Sequence, residues 1–149
     1  MEIAVLALGC FWGPEIKFGK LEGVVKTEVG YCGGNSDNTT YEKVCSGNTN
    51  HAEVVKLEFD PVKISYEEIL EYFFNIHDPT TLNAQGPDIG TQYRSEIFYL
   101  NDNQKNIAEK IIEENNSKLA GRVVTKLSPL KNYCKAEEYH QRYIEKKNI

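Results

Sequence analysis

The 149-residue sequence contains no Cys-x-x-Cys pair and no grouping of its four cysteines with its three histidines. That excludes the ligand spacing of a structural zinc site and the dithiol of a thioredoxin-type centre. Long hydrophobic runs are missing as well. The longest, residues 3–12, is too short to cross a bilayer. Glu2 ahead of it also denies that run the basic start of a secretion signal. A cytoplasmic protein with free thiols is the expectation. There is no dense Lys/Arg stripe, and 22 acidic residues outnumber 17 basic ones for a net charge of -5, which argues against a nucleic-acid partner. Repeats, low-complexity tracts and linkers are absent, so residues 1–149 read as a single domain, large enough to bury a core unaided. Met1 is the only methionine, an absence that chance produces easily at this length.

What the chain does have is Gly9-Cys10-Phe11-Trp12-Gly13. Cys10 ends an apolar run (residues 3–8) and stands just ahead of Pro14 and Glu15, which read as a first helical turn. Unpaired amides there favour a thiolate. Two aromatics follow as an apolar wall, beside glycines that permit close approach to the backbone. A thiol nucleophile against a small apolar substrate fits this segment; a buried cysteine among core aromatics fits it equally.

The remaining pattern is mixed. Residues 3–8 are apolar without alternation, as in a strand covered on both faces. Residues 24–31 read as extended, and Tyr41 to Cys45 as one helical turn. Across 51–59 the odd positions are His51, Glu53, Val55, Leu57 and Phe59, so strand periodicity sends Glu53 inward with three apolar neighbours. An inward carboxylate is costly unless neutral or hydrogen-bonded. Ser65 with Glu68 forms a capping box, and Ile64 with Ile69 a staple, for a helix ending near Pro79. Residues 79–92 read as a long loop, 93–100 as a strand, 102–119 as a helix and 123–127 as a short strand. Residues 136–146 read as a final helix with Tyr139 and Tyr143 one turn apart. Helices and strands that mix without strict alternation point to an α+β two-layer sandwich.

Five segments together resemble the motifs of the peptide methionine sulfoxide reductase A family, in its order and spacing. They are Gly9-Cys10-Phe11-Trp12-Gly13; Tyr41-x-x-Val44-Cys45-Ser46-Gly47; His51-Ala52-Glu53; Asp88-x-Gly90-Thr91-Gln92-Tyr93-Arg94-Ser95; and Ala136-Glu137-Glu138-Tyr139-His140-Gln141. The resemblance implies a ferredoxin-like plait with a mixed sheet and added helices. It implies reduction of the S epimer of methionine sulfoxide, free or in proteins, with electrons from thioredoxin or another thiol and with neither metal nor organic cofactor. Cys10 would attack the sulfoxide sulfur, and Phe11 and Trp12 would hold the methyl group. Glu53, Tyr41 and Tyr93 would surround the sulfoxide oxygen, with Asp88 linked to them. Chemistry and strand pattern meet at Glu53. The oxygen leaves only once protonated, an exposed Glu titrates near ~4.3, and desolvation on an apolar face keeps it protonated at neutral pH.

After attack Cys10 becomes a sulfenic acid. Many members of that family recycle it with a cysteine in a glycine-rich C-terminal tail; no cysteine follows Cys134 in this sequence, so that route is not the expectation here. Cys134, in an expected loop, is the first internal candidate to resolve Cys10 and Cys32 the second, with direct reduction of Cys10 by an external thiol standing nearly level with Cys134. Cys45 reads as structural. Asn50 and Pro14 are smaller departures that bear on loop shape. Two other functions use the same residues: a thiol peroxidase acting through Cys10, which leaves Glu53 and the tyrosines without a task, and a non-enzymatic module binding methionine-containing peptides through Phe11 and Trp12.

Overall fold

The computed structural model describes residues 1–147. In chain order the elements are β1 (Glu2–Leu8), α1 (Trp12–Gly19), β2 (Val24–Cys32), α2 (Tyr41–Cys45), β3 (Ala52–Phe59) and α3 (Tyr66–Asn75). There follow β4 (Ala84–Gln85), β5 (Asp88–Ile89), β6 (Ser95–Tyr99), α4 (Asp102–Lys118), β7 (Lys126–Pro129), β8 (Cys134–Lys135) and α5 (Tyr143–Lys147). Six strands form one sheet in the order β7-β6-β1-β3-β2-β8, and β4 pairs with β5 as a separate hairpin. Its centre, β6-β1-β3-β2, is antiparallel throughout, while β6 and β7 are parallel. That order, reached through a β1-α1-β2-β3-α3-β6 succession, is the ferredoxin-like plait of an α+β sandwich.

The unalternating run of β1 has its reason in two buried faces. Ala4, Leu6 and Leu8 join Val29, Tyr31, Val55, Leu57 and Phe59 beneath the helices, in a cluster that also takes Phe18 of α1 and Ile69, Leu70 and Phe73 of α3. Val5 and Ala7 point the other way, onto Cys32, Ala52, Val54 and Phe98, with Tyr133 packed over them. The capping box at Ser65 is formed: its hydroxyl accepts the Glu68 N–H at 3.0 Å, and Glu68 Oε1 accepts the Ser65 N–H at 3.2 Å.

Three local expectations are corrected. The loop across 79–92 carries the β4–β5 hairpin. Tyr93 lies in a 3-10 turn (Thr91–Tyr93) ahead of β6, because Arg94 ties that turn to Thr91 O (2.9 Å) and to Asn50 O (3.1 Å) before its Nε reaches Glu96 (2.7 Å). The single helix across 136–146 is a 3-10 turn (Glu138–His140) and then α5. Between them Gln141 is extended and Arg142 has φ +51°. The Gln141 side chain accepts Val29 N–H and donates to Val29 O, both at 2.9 Å, and the Arg142 N–H donates to Glu15 Oε1 at 2.7 Å. These tertiary bonds, buried at Gln141 and part-buried at Arg142, outweigh the helical preference of the segment. Their effect is to seat residues 138–147 against β2 and α1, beside Cys10.

Candidate active site

Cys10 occupies the turn from β1 to α1 and is half-buried. Gly9 makes the turn with φ +102°, and a Cβ there would stand 2.8 Å from Gln85 Cβ. The β4–β5 hairpin therefore lies directly over the thiol-bearing turn. Gly9→Ala should cost about 2 kcal/mol through strained backbone alone. A Tm drop of roughly 5 °C follows, together with weakened activity as the hairpin is pushed away. An unchanged Tm would deny the close approach its importance.

Glu53 lies where strand periodicity sends it, 1% exposed on the helix-side face of β3. Its Oε1 accepts the Phe11 N–H at 3.2 Å, and its Oε2 has no partner. Burial pushes its pKa up to about 8; the Phe11 amide opposes that and the Asp88 charge adds to it. The carboxyl is thus protonated at neutral pH, with a free oxygen next to the Cys10 turn. Cys10 departs from the sequence expectation. Burial pushes its thiol up to about 11, the Trp12 amide pulls the other way, and the charges of Glu53 and Asp88 raise it further. The start of an eight-residue helix supplies too little positive potential to outweigh desolvation, so the resting group is a thiol.

Tyr41 and Tyr93 are both half-buried, and the charge of Glu53 reaches both phenols. Burial first raises both phenols, followed by the Cys45 thiol at Tyr41 and the Glu53 charge at Tyr93, Tyr93 reaching about 12, so both remain hydroxyl donors. Asp88, on β5, acts on Cys10, Glu53 and Tyr93 alike, which places it at the rim. Phe11 is buried, and Trp12 is half-buried and stacked on Tyr143 (ring centroids 3.9 Å apart, 11° between planes).

His140 has a part that no residue-by-residue reading gave it. Its ring lies 5.2 Å from Phe11, 5.7 Å from Trp12 and 4.6 Å from Tyr41, and its Nδ1 accepts the Trp12 indole N–H at 3.1 Å. Glu137 was likewise missed: it accepts the Tyr31 hydroxyl at 2.7 Å and the Tyr41 N–H at 2.9 Å, joining β2 to the start of α2. Both belong to the fifth motif, so a signal existed without a role attached to it.

The three other cysteines are placed differently from one another. Cys134 is in β8, not in a loop, because its backbone pairs with Tyr31. Tyr31 in turn pairs with Glu53, so Glu53, Tyr31 and Cys134 form one row across three strands. Two strand spacings, roughly 10 Å, separate Cys134 from Glu53. Cys32 belongs to the opposite face of the sheet and donates to Lys131 O at 3.2 Å. Cys45 ends α2 and is exposed.

Cavity size does not mark this site. A cavity of about 400 Å³ runs along the outer part of β2, bordered by Lys26, Glu28, Lys135 and Arg142, and contains none of these residues. What singles out the Cys10 turn is chemistry: a thiol, an uncharged buried acid, two phenols and an aromatic wall.

Comparison with known proteins decides the family. The family model described as peptide methionine sulfoxide reductase matches residues 2–149. A peptide methionine sulfoxide reductase MsrA of Pelagibacter ubique is 76% identical over 147 residues, 99% of this chain and 100% of the relative. The chain belongs to the peptide methionine sulfoxide reductase A family. Solved structures of that family agree: reduced Mxr1 from Saccharomyces cerevisiae superimposes with TM-score 0.92 at 42% identity, covering 99% of this chain and 86% of that one. Mxr1 in complex with Trx2 superimposes with TM-score 0.67 at 30% identity, covering 95% and 84%. Among the described residues of this reductase, no group of three or more His, Cys, Asp or Glu is placed to hold a metal ion. No described helix is long and apolar enough to cross a membrane.

Proposed function

We propose that the chain, acting as one catalytic domain in the cytoplasm, is a peptide-methionine (S)-S-oxide reductase in which Cys10 is the nucleophile and Glu53 the proton donor. One observation carries this reading: a carboxyl held neutral by burial, with Oε2 unpaired, bonded through Oε1 to the amide next to the thiol. A general acid needs a pKa near the working pH and reach to its acceptor.

Cys10 sulfur attacks the sulfoxide sulfur. Glu53 gives its proton to the sulfoxide oxygen, and the proton leaving the Cys10 thiol restores the carboxyl. Two neutral partners exchange protons in the step, so no thiolate has to be held beforehand in a site that disfavours one. Tyr41 and Tyr93 donate to the same oxygen as its charge grows, the kind of fixed donor that lowers a barrier most in a water-poor site. The hydroxyl passes to Cys10 sulfur as the sulfur–oxygen bond breaks. The sulfur–sulfur bond formed in the attack breaks at the same time, methionine leaves with that electron pair, and Cys10 is left as the sulfenic acid. The methyl group rests on Phe11 and Trp12, whose indole is fixed by His140 and Tyr143. Thiols return the enzyme to its start, and thioredoxin is the proposed donor, in keeping with the related Mxr1–Trx2 complex.

NADPH consumption through a thioredoxin system, with each epimer supplied separately, tests the reading. Turnover with the S epimer alone is expected. Turnover of only the R epimer, or of hydrogen peroxide in preference to both, would overturn it. Trp12→Ala removes one wall of the methyl pocket. It should raise KM about tenfold or more with a smaller change in kcat, since a buried aromatic contact is worth roughly 1.5 kcal/mol or more. A loss confined to kcat would remove Trp12 from substrate capture.

A further inference from the structure

We propose that Cys45, rather than Cys134 or Cys32, resolves the sulfenic acid on Cys10 by forming a Cys10–Cys45 disulfide. The inference rests on the reading above, since it concerns the step after methionine leaves.

Sheet geometry disfavours the alternatives. A disulfide needs Cα atoms about 4.4–6.8 Å apart. Cys134 is locked in the ladder opposite Tyr31, with Glu53 and Tyr31 standing between it and the Cys10 side. Its thiol is also occupied by the carbonyls of Thr39 and Lys135. Reaching Cys10 would require β8 to leave the sheet. Cys32 would have to pass through the sheet.

Cys45 needs neither disruption. It follows Tyr41 by four residues in α2, so the two side chains lie on one face of that helix. The Tyr41 ring packs 4.6 Å from His140, whose ring is 5.2 Å from Phe11, the residue after Cys10. The Cys45 thiol lies against the Tyr41 hydroxyl and within the electrostatic reach of Glu53 and Tyr93. Glu53, whose Oε2 is buried without a partner, acts electrostatically on both the attacking and the resolving thiol.

The helix is also built to move at that end. Its start is fixed by the Thr40 side chain on Lys43 N–H and by Glu137 on Tyr41 N–H. Its other end runs into exposed Ser46, Gly47 (φ +80°) and Asn48. A five-residue helix has little of its own to lose when one end swings. Because Cys45 is exposed, the resulting disulfide would face solvent, where an external dithiol can attack it.

The step balances. Cys45 sulfur attacks Cys10 sulfur, the Cys10 sulfur–oxygen bond breaks, and the departing hydroxide leaves with the Cys45 proton as water. Cys45 is oxidised from thiol to disulfide, Cys10 is reduced from sulfenic acid to disulfide, and the external dithiol later returns both to thiols.

Trypsin places the four cysteines on separate peptides, residues 1–17, 27–43, 44–56 and 132–135, so the linkage can be read directly. Reduced protein, freed of external thiol, is given one equivalent of methionine S-sulfoxide, alkylated, and its monomeric fraction digested for mass spectrometry. The expected result is loss of two thiols per methionine released and a covalent link between peptides 1–17 and 44–56. In the C45S variant methionine should still be released, one thiol should be lost, and dimedone should label peptide 1–17. In C134S the link should persist. A link from 1–17 to 132–135, or quantitative dimedone labelling of the unsubstituted protein, would overturn the proposal. Failure to release methionine in any of the three proteins would instead sink the reductase reading, and this proposal with it.

Discussion

Glu53→Gln is expected to lower kcat for sulfoxide reduction by about 100- to 10,000-fold, the range that positioned general acids supply. An amide can still accept the Phe11 N–H and fill the space, but it has no acidic proton to give to the oxygen. The same substitution should stabilise the fold. Burial holds a proton on Glu53 up to about pH 8 in the folded chain, while the unfolded chain releases it near ~4.3. Between those values the folded state binds the additional proton, so stability falls as the pH climbs through that window. Gln carries no such linkage. The variant should therefore melt higher than the parent, with the gap widening from pH 5 to pH 8. Activity lost while stability rises distinguishes a chemical role from a structural one. A variant that turned over normally, or that melted lower at pH 8, would contradict the assignment.

Cys10→Ser should abolish turnover altogether, since a serine hydroxyl neither attacks the sulfoxide sulfur usefully nor stores the oxygen. Substrate binding should survive, because the proposed methyl wall is Phe11 and Trp12, with the indole held by His140 and Tyr143, and needs no thiol. Calorimetric titration of the variant with methionine S-sulfoxide checks this: retained affinity with no methionine produced is expected. Residual turnover above about a thousandth of the parent rate would mean another group performs the attack. The thiol itself offers a companion check. With its pKa at about 11, alkylation of Cys10 by iodoacetamide should be slow at pH 8 and still accelerating at pH 10. A plateau near pH 7 would restore the thiolate that the sequence alone suggested.

That thiolate shows where sequence reasoning reached its limit. Local order placed Cys10 at the start of a helix correctly, and from this the sign of one electrostatic effect follows. The opposing effect comes from residues distant in the chain: burial against β3, and the carboxyls of Glu53 and Asp88. No local pattern reports how much water a turn excludes. Glu53 was legible for the opposite reason. A strand's two-residue period fixes the face of each side chain before any packing is known, and Val55, Leu57 and Phe59 identified that face as the dry one. The capping box at Ser65 was legible too, being written within four residues.

The C-terminal stretch was misread as one helix because its departure from helix is imposed from outside. Gln141 gives its side-chain amide to the backbone of Val29, and the Arg142 amide goes to Glu15, partners 112 and 127 residues away in sequence. His140 stood in the fifth motif without a role on the same ground, since only the fold brings Phe11, Trp12 and Tyr41 around it. Cys134 was expected in a loop since two residues of strand are too few to show a period.

A neutral acid poised beside a neutral thiol makes a specific claim about rate. Activity should hold steady through pH 7 and fall as Glu53 loses its proton above about 8, whereas a site that depended on a preformed thiolate would speed up over the same range. The most direct test is to watch the Glu53 carboxyl itself, by titrating protein labelled with carbon-13 at the glutamate δ-carboxyl and identifying its resonance by its loss in Glu53→Gln. A midpoint near pH 8 is the predicted result; a midpoint near pH 4 would leave the site without its proton donor and contradict the account.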